Sequence, residues 1–143
     1  MENKQKNHFM VDLVELGDDR GGLVVIEEGK NFPFPIKRVF YEYNTDPSIA
    51  RGNHANLNSR FGFVSITGAC VVEVNDGYES KEYLLDSPQK FLFVDKMLWK
   101  VMKEFSTDNV LLVLSDQLYD GQEYIRDFDE FITMVKKHDS LCK

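Results

Sequence analysis

The sequence predicts an all-β fold, a barrel or jelly roll closed by one C-terminal helix. Three observations carry that expectation. Short apolar runs separated by turn residues recur at roughly 8–12-residue spacing. Aromatic residues, whose large rings suit packed sheets, make up 13% of the chain. Only the tail changes from a two-residue period to a helical one.

Val11 to Leu16 alternates apolar and polar side chains, the period of a half-exposed strand. Asp18 to Gly22 reads as a turn and Leu23 to Ile26 as a short buried strand. Phe32-Pro33-Phe34-Pro35 must be extended, because each proline fixes its own backbone and restricts the residue before it. Ile36 to Tyr43 is the next strand, and Asn44 to Asn53 a loop containing Asp46-Pro47 and Arg51-Gly52. Phe61 to Thr67 and Cys70 to Val74 are strands joined at Gly68, with a hairpin turn at Asn75-Asp76-Gly77. Lys81 to Leu85, Phe91 to Val94 and Val110 to Leu114 complete the series. In the tail, Tyr124, Phe128, Phe131 and Val135 form an apolar stripe with Ile125 and Ile132 beside it, which places a helix over about 122–137.

The length of 143 residues suits one domain spanning 1–143, with a sizeable core. A net charge of −7 argues against a general nucleic-acid binder, which needs a basic excess for phosphates. Between Lys37 and Arg60 the balance inverts locally, with Lys37, Arg38, Arg51 and Arg60 against Glu42 and Asp46. One small anionic ligand therefore remains compatible with the chain. No apolar run is long enough to span a bilayer, and the start MENKQKNHFM lacks the apolar stretch of a secretory signal. Cys70 and Cys142 are too few and too far apart for a disulfide framework, so a reduced, cytoplasmic protein is expected.

Among the three histidines, His8 and His138 fall in segments read as mobile termini. His54 follows Arg51-Gly52-Asn53 inside the basic stretch and is the candidate for chemistry. A barrel metal site would need His-x-His, but the residues here are His54-Ala55-Asn56, so no metal is expected. Cys70 lies in an apolar run and reads as core, and neither a Gly-x-Ser-x-Gly elbow nor a phosphate-cradling glycine loop is present. Trp99 either packs in the core or lines a pocket with Lys100 nearby. Asp127-Phe128-Asp129-Glu130-Phe131 reads as the solvated face of the terminal helix, not a catalytic carboxylate pair.

The chain resembles the sugar-nucleotide 3,4-ketoisomerases, the FdtA- and QdtA-like or WxcM-like proteins, over nearly its whole length. The segments that carry the likeness are Phe32 to Tyr41, Arg51-Gly52-Asn53-His54-Ala55, Asp76-Gly77, and Leu85 to Pro88. It continues through Trp99, Met102, Phe105-Ser106, Val110 to Ser115, Tyr119-Asp120 and Glu123 to Asp127. The resemblance implies a cupin-type jelly roll, a homodimer, no cofactor and no catalytic metal. The implied substrate is a dTDP-linked 4-keto-6-deoxyhexose, used in making deoxysugars for surface glycans. The family pattern Arg-Gly-x-His-Ala-His keeps its first imidazole as His54 but has Asn56 in place of the second. Lys100 stands where a His commonly follows the family's Trp, and Phe40-Tyr41 replaces Tyr-Tyr.

Moving a ketone from C4 to C3 needs a base and an acid working through an enediol, with a partner for the developing oxyanion. The expected catalytic set is therefore His54 as base, Arg51 (or Arg38) at the oxyanion and Lys100 as the replacement acid. Arg38, Tyr41, Asn56, Arg60 and Trp99 are the candidates for substrate binding. Loss of the second imidazole leaves open a non-catalytic cupin that binds a nucleotide sugar; a metal-dependent dioxygenase would suit the fold but lacks ligands.

Overall fold

The structure is a computed structural model and describes residues 7–142. Ten strands run in the order β1 His8–Asp12, β2 Arg38–Glu42, β3 Arg51–Asn56, β4 Phe61–Thr67 and β5 Cys70–Asn75, then β6 Ser80–Leu85, β7 Lys90–Val94, β8 Trp99–Lys103, β9 Val110–Ser115 and β10 Tyr124–Ile125. A 3-10 turn, Gly121–Glu123, precedes β10, and one helix, α1 Phe128–Leu141, follows it. The strands form two five-stranded antiparallel sheets, ordered β1-β7-β4-β9-β2 and β10-β3-β8-β5-β6. This is the jelly roll with one C-terminal helix that the residue patterns lead one to expect.

Alternation along each strand sorts the side chains into three apolar layers. Phe61, Phe63, Leu92, Val94, Leu111 and Val113 from the first sheet meet Cys70, Val72, Val74, Leu85 and Met102 from the second, forming the interior. Outward residues of the first sheet, Val64, Phe91, Phe93 and Leu114, are covered by Leu13, Phe32 and Phe34 of the long β1–β2 connection. On the outside of the second sheet, Ala55, Trp99 and Ile125 receive Phe131 of α1. Helix α1 starts only at Phe128, because Tyr124 and Ile125 are taken up in pairing with Asn56 and Ala55. Asp127 then caps it by accepting from the Glu130 amide at 2.9 Å, so the helix runs later than 122–137.

Other sequence expectations need correction. Leu23 to Ile26 is not a strand: Val24 and Ile26 pack on the outer apolar layer while Leu23 and Val25 are exposed. The alternation is real, but the segment has no ladder partner. The first strand lies at His8–Asp12 rather than Val11 to Leu16, and Val14 and Leu16 are exposed. His8 is thus built into a strand, with Nδ1 2.6 Å from the Tyr83 hydroxyl. Strand β8 escapes the sequence pattern because its interior position 100 holds a lysine where the alternation calls for an apolar residue.

Candidate functional site

A cavity of about 150 Å³ lies between the two sheets. Its walls come from Phe40 and Glu42 of β2, Arg51, Gly52 and His54 of β3, Phe61 and Phe63 of β4, Lys100 and Met102 of β8, and Tyr124 of β10. His54 and Lys100 are direct cross-strand partners in the β3–β8 register, so their side chains stand next to one another. Three of the nominated residues, His54, Arg51 and Lys100, are therefore brought together.

The local backbone explains how β3 delivers His54. The β3–β8 register shifts between Gly52 and His54, and Gly52 and Asn53 both have positive φ (84° and 56°). A Cβ on Gly52 would stand 2.9 Å from the Lys100 carbonyl oxygen and 3.0 Å from the Met102 sulfur, so only glycine allows this approach. The bulge turns the Gly52 carbonyl back onto the imidazole, where it accepts from His54 Nδ1 at 3.0 Å. A carbonyl can only accept, so Nδ1 carries the proton and Nε2 keeps its lone pair. Burial, and next the charge on Lys100, bring His54 down to about 4. At neutral pH the ring is an uncharged base. Its edge rests on Tyr124, with centroids 4.8 Å apart.

Lys100 is 1% exposed, and burial brings its ammonium down to about 7, against the opposing pull of Glu123. Its Nζ donates to Asn56 Oδ1 at 3.0 Å and to the Leu98 carbonyl at 3.1 Å, and lies 4.9 Å from the centroid of the Phe61 ring. Asn56 Nδ2 in turn donates to Glu123 Oε1 at 2.9 Å. Glu123 is also held by the Ser59 amide at 3.1 Å and the Ser59 hydroxyl at 2.7 Å. Asn56 is thus buried behind Lys100 rather than on the cavity wall.

Arg51 pairs with Glu42 at 3.3 Å, and burial raises the Glu42 carboxyl against the pull of that guanidinium. Glu42 Oε2 is buried without a hydrogen-bond partner. Arg38 shares the inward face of β2 with Phe40 and Glu42, and its guanidinium is framed by the rings of Phe40, Phe61 and Tyr119 at 5.4–5.9 Å. Its Nε and Nη2 are buried donors without partners. Unsatisfied donors of this kind are costly unless an acceptor arrives.

Three nominated residues lie elsewhere. Tyr41 alternates to the outer face of β2, 62% exposed and beside Tyr43. Arg60 is committed to Asp116 at 2.7 Å and to the Phe34 ring. Trp99 faces α1, with Phe128 and Phe131 at 5.2 and 5.8 Å, so of the two readings for this ring the structure favours packing. A larger cleft of about 870 Å³, between α1 and the β5–β6 hairpin, contains none of the nominated residues. Among the described residues no three His, Cys, Asp or Glu side chains gather as metal ligands.

Glu42, Ser59, Glu123 and Tyr124 were not singled out from sequence. For Glu42 a signal existed, since it continues the inward row of Arg38 and Phe40 at steps of two. Glu123 and Tyr124 fall in the closing segment that carries the family resemblance, but nothing local marks Glu123 as buried, and its partner Asn56 is 67 positions away.

Comparison with known proteins follows this geometry. The family model described as FdtA: WxcM-like, C-terminal matches residues 6–136. The TDP-4-oxo-6-deoxy-alpha-D-glucose-3,4-oxoisomerase of Aneurinibacillus thermoaerophilus is 40% identical over 137 residues, covering 96% of this chain and 95% of that one. A 3,4-ketoisomerase from Helicobacter canadensis superposes with a TM-score of 0.89 at 37% identity, covering 92% of this chain and 99% of that one. QdtA, a sugar 3,4-ketoisomerase from Thermoanaerobacterium thermosaccharolyticum solved with TDP, gives 0.89 at 31% identity, covering 92% and 96%.

Proposed function

The chain belongs to the WxcM-like family of sugar-nucleotide 3,4-ketoisomerases, and from that premise we propose that it moves the keto group between C4 and C3 of a dTDP-linked 4-keto-6-deoxyhexose. The observation that carries this reading is the side-by-side pair of His54, with its free Nε2, and Lys100 on the wall of one cavity. Its relatives' activity supports a catalyst over a mere nucleotide-sugar binder.

The reaction transfers one hydrogen from C3 to C4 and one hydroxyl proton from O3 to O4. His54 Nε2 takes the C3 proton while the Lys100 ammonium gives its proton to O4, forming the neutral enediol. In the second half, the now neutral Lys100 takes the O3 proton and the imidazolium returns its proton to C4. A lysine near 7 populates both forms at neutral pH, as this exchange of roles requires. Arg51 stands at the same wall to stabilise oxyanion character. The cavity holds a small ring and not a whole nucleotide sugar, so the diphosphate lies outside it, where the unpartnered donors of Arg38 suit an anion. The enzyme works without a cofactor, as a homodimer, in the cytoplasm. The exposed Val39 and Tyr41 on edge strand β2 support the dimer. Free cysteines Cys70 and Cys142 support a reducing compartment, and no helix among the described residues is long and apolar enough to cross a membrane.

Solvent-exchange NMR tests the reaction: deuterium enters C3 of the 4-keto sugar and C4 of the product with the wild type. His54→Asn abolishes exchange while binding dTDP normally. Exchange that persists in this variant removes His54 from the chemistry.

A further inference from the structure

Resting on the ketoisomerase reading, we propose that Glu123 is a positioning residue: acting through the Asn56 amide, it holds Lys100 so that the one corner of the amine free to gain or lose a proton faces the substrate.

The argument is one of donor and acceptor count. A carboxylate only accepts, so Glu123 Oε1 selects the Nδ2 end of Asn56. An ammonium only donates, so Lys100 Nζ selects the Oδ1 end. Both neighbours require the same orientation of the amide, and a flipped Asn56 would set oxygen against carboxylate and NH2 against ammonium. Asn56 is therefore a connector with a fixed direction. Glu123 cannot swing away, since Ser59 holds both of its carboxylate oxygens.

Lys100 has three substituents on Nζ besides its side chain. Two are N–H bonds directed at fixed carbonyl acceptors, Asn56 Oδ1 and Leu98 O. The third corner belongs to a group that lines the cavity. Charged, it offers a proton there; neutral, it offers a lone pair, and the two anchoring bonds remain as they were. The amine can thus act as acid and then base without moving. The charged or titratable groups around it are His54 and Arg51 from β3, Glu42 and Arg38 from β2, Glu123 from the turn before β10, and Tyr124 of β10 with Arg126 over its ring; β4 presents the Phe61 ring and β5 the apolar Val74. Of the carboxylates among the described residues, only Glu123 reaches Lys100 through a hydrogen-bonded chain.

Glu123→Gln tests this with the connector kept, because the amide oxygen still accepts from Asn56 and Ser59 while the charge is gone. The expected result is a roughly tenfold lower kcat at neutral pH with KM for the dTDP-sugar within about twofold. The limb of the kcat–pH profile that reports Lys100 moves to lower pH. NMR of the 15N-labelled Lys100 side chain, which does not need turnover, shows its titration moving the same way. In a Lys100→Met background Glu123→Gln has no further effect on kcat, because Glu123 acts through that amine. Losses that multiply in the double variant, or an unmoved Lys100 titration, overturn the proposal. Should Glu123→Gln fold poorly, Ser59→Ala, which frees one carboxylate oxygen, is expected to shift the same NMR titration, and no shift there counts against the idea. A wild type inert toward the 4-keto sugar would refute the ketoisomerase reading alone, since the Lys100 titration still decides what Glu123 does.

Discussion

Replacing Lys100 by Met should reverse the way stability responds to pH between 7 and 9. In the native protein burial brings the Lys100 ammonium down to about 7, whereas in the unfolded chain a lysine titrates near 10.4. Over that interval the unfolded state holds more protons than the native state, so unfolding becomes harder as pH rises. Because the native amine is already half neutral at pH 7, the interval from 7 to 9 adds roughly 2 kcal/mol of stability from this residue. Below about 7 both states are charged and the full cost of the buried ammonium is present; above the unfolded value it is gone. Cys70 acts in the opposite sense, since burial pushes its thiol up to about 11 and the unfolded thiolate is favoured at alkaline pH. Comparing wild type with Lys100→Met at each pH cancels Cys70 and every other group the two share.

Trp99 is the sole tryptophan and is packed against α1, so its fluorescence follows unfolding directly. With a urea m-value of about 2 kcal/mol/M, the wild-type midpoint rises by about 1 M relative to the variant across this interval. Met is apolar and of similar length, but it leaves Asn56 Oδ1 without its lysine donor and buried Glu123 without the charge that balances it, so the variant is the less stable protein as well as the poorer enzyme. Parallel midpoints for the two proteins from pH 7 to 9 would refute the claim that Lys100 is a buried amine with a lowered pKa.

Gly52→Ala forces a Cβ into left-handed backbone against the Lys100 carbonyl. A loss of about 2 kcal/mol, read as a melting temperature roughly 6 °C lower, is expected; an unchanged melting curve would show that the bulge tolerates a side chain. Arg38→Met removes the donors assigned to the diphosphate and should weaken dTDP binding by about 10–100-fold in calorimetry, from loss of one to two charge-assisted bonds. Equal affinity would place the diphosphate elsewhere. Tyr41→Phe, on the outer face of β2, should leave kcat within about twofold; a large loss would mean that this face contributes to the site.

Strands β4, β5, β6, β7 and β9 are legible in the sequence to within a residue or so, because each buries alternate side chains in the interior apolar layer. What alternation cannot supply is the partner. Leu23 to Ile26 alternates because it lies over a sheet face, and only its missing ladder separates it from a strand. The helix start is obscured for a related reason: Tyr124 and Ile125 continue the apolar stripe but pair with β3. At the site, His54, Arg51, Lys100 and Arg38 could be nominated because their residue types announce chemistry. Tyr41 and Trp99 share that suggestive chemistry, yet strand parity turns both away from the cavity. Parity is only readable once the register is known. Glu123 stayed hidden because its burial depends on Asn56 and Ser59, contacts made by folding.

The charges around this cavity show how one pocket can treat the two halves of a nucleotide sugar differently. Arg51 is neutralised by Glu42, and Lys100 is balanced through Asn56 by Glu123, while His54 is held uncharged. Arg126, 4.7 Å over the Tyr124 ring, adds a positive charge that helps keep His54 neutral, and Arg38 has buried donors that no protein group satisfies. Around the cavity itself Arg51 and Lys100 are each opposed by a carboxylate, which suits a neutral sugar ring and lets small proton transfers shift the local balance. The buried donors of Arg38 are not so opposed, which suits a permanent anion. The ring of Phe61 touches both, with Lys100 Nζ 4.9 Å and Arg38 Cζ 5.9 Å from its centroid, so one aromatic face is shared by the acid–base pair and the diphosphate-binding charge. Replacing Phe61 by Leu would keep an apolar side chain but remove both cation–ring contacts. It should therefore change kcat and dTDP affinity together, where Arg38→Met changes mainly affinity and Lys100→Met mainly kcat.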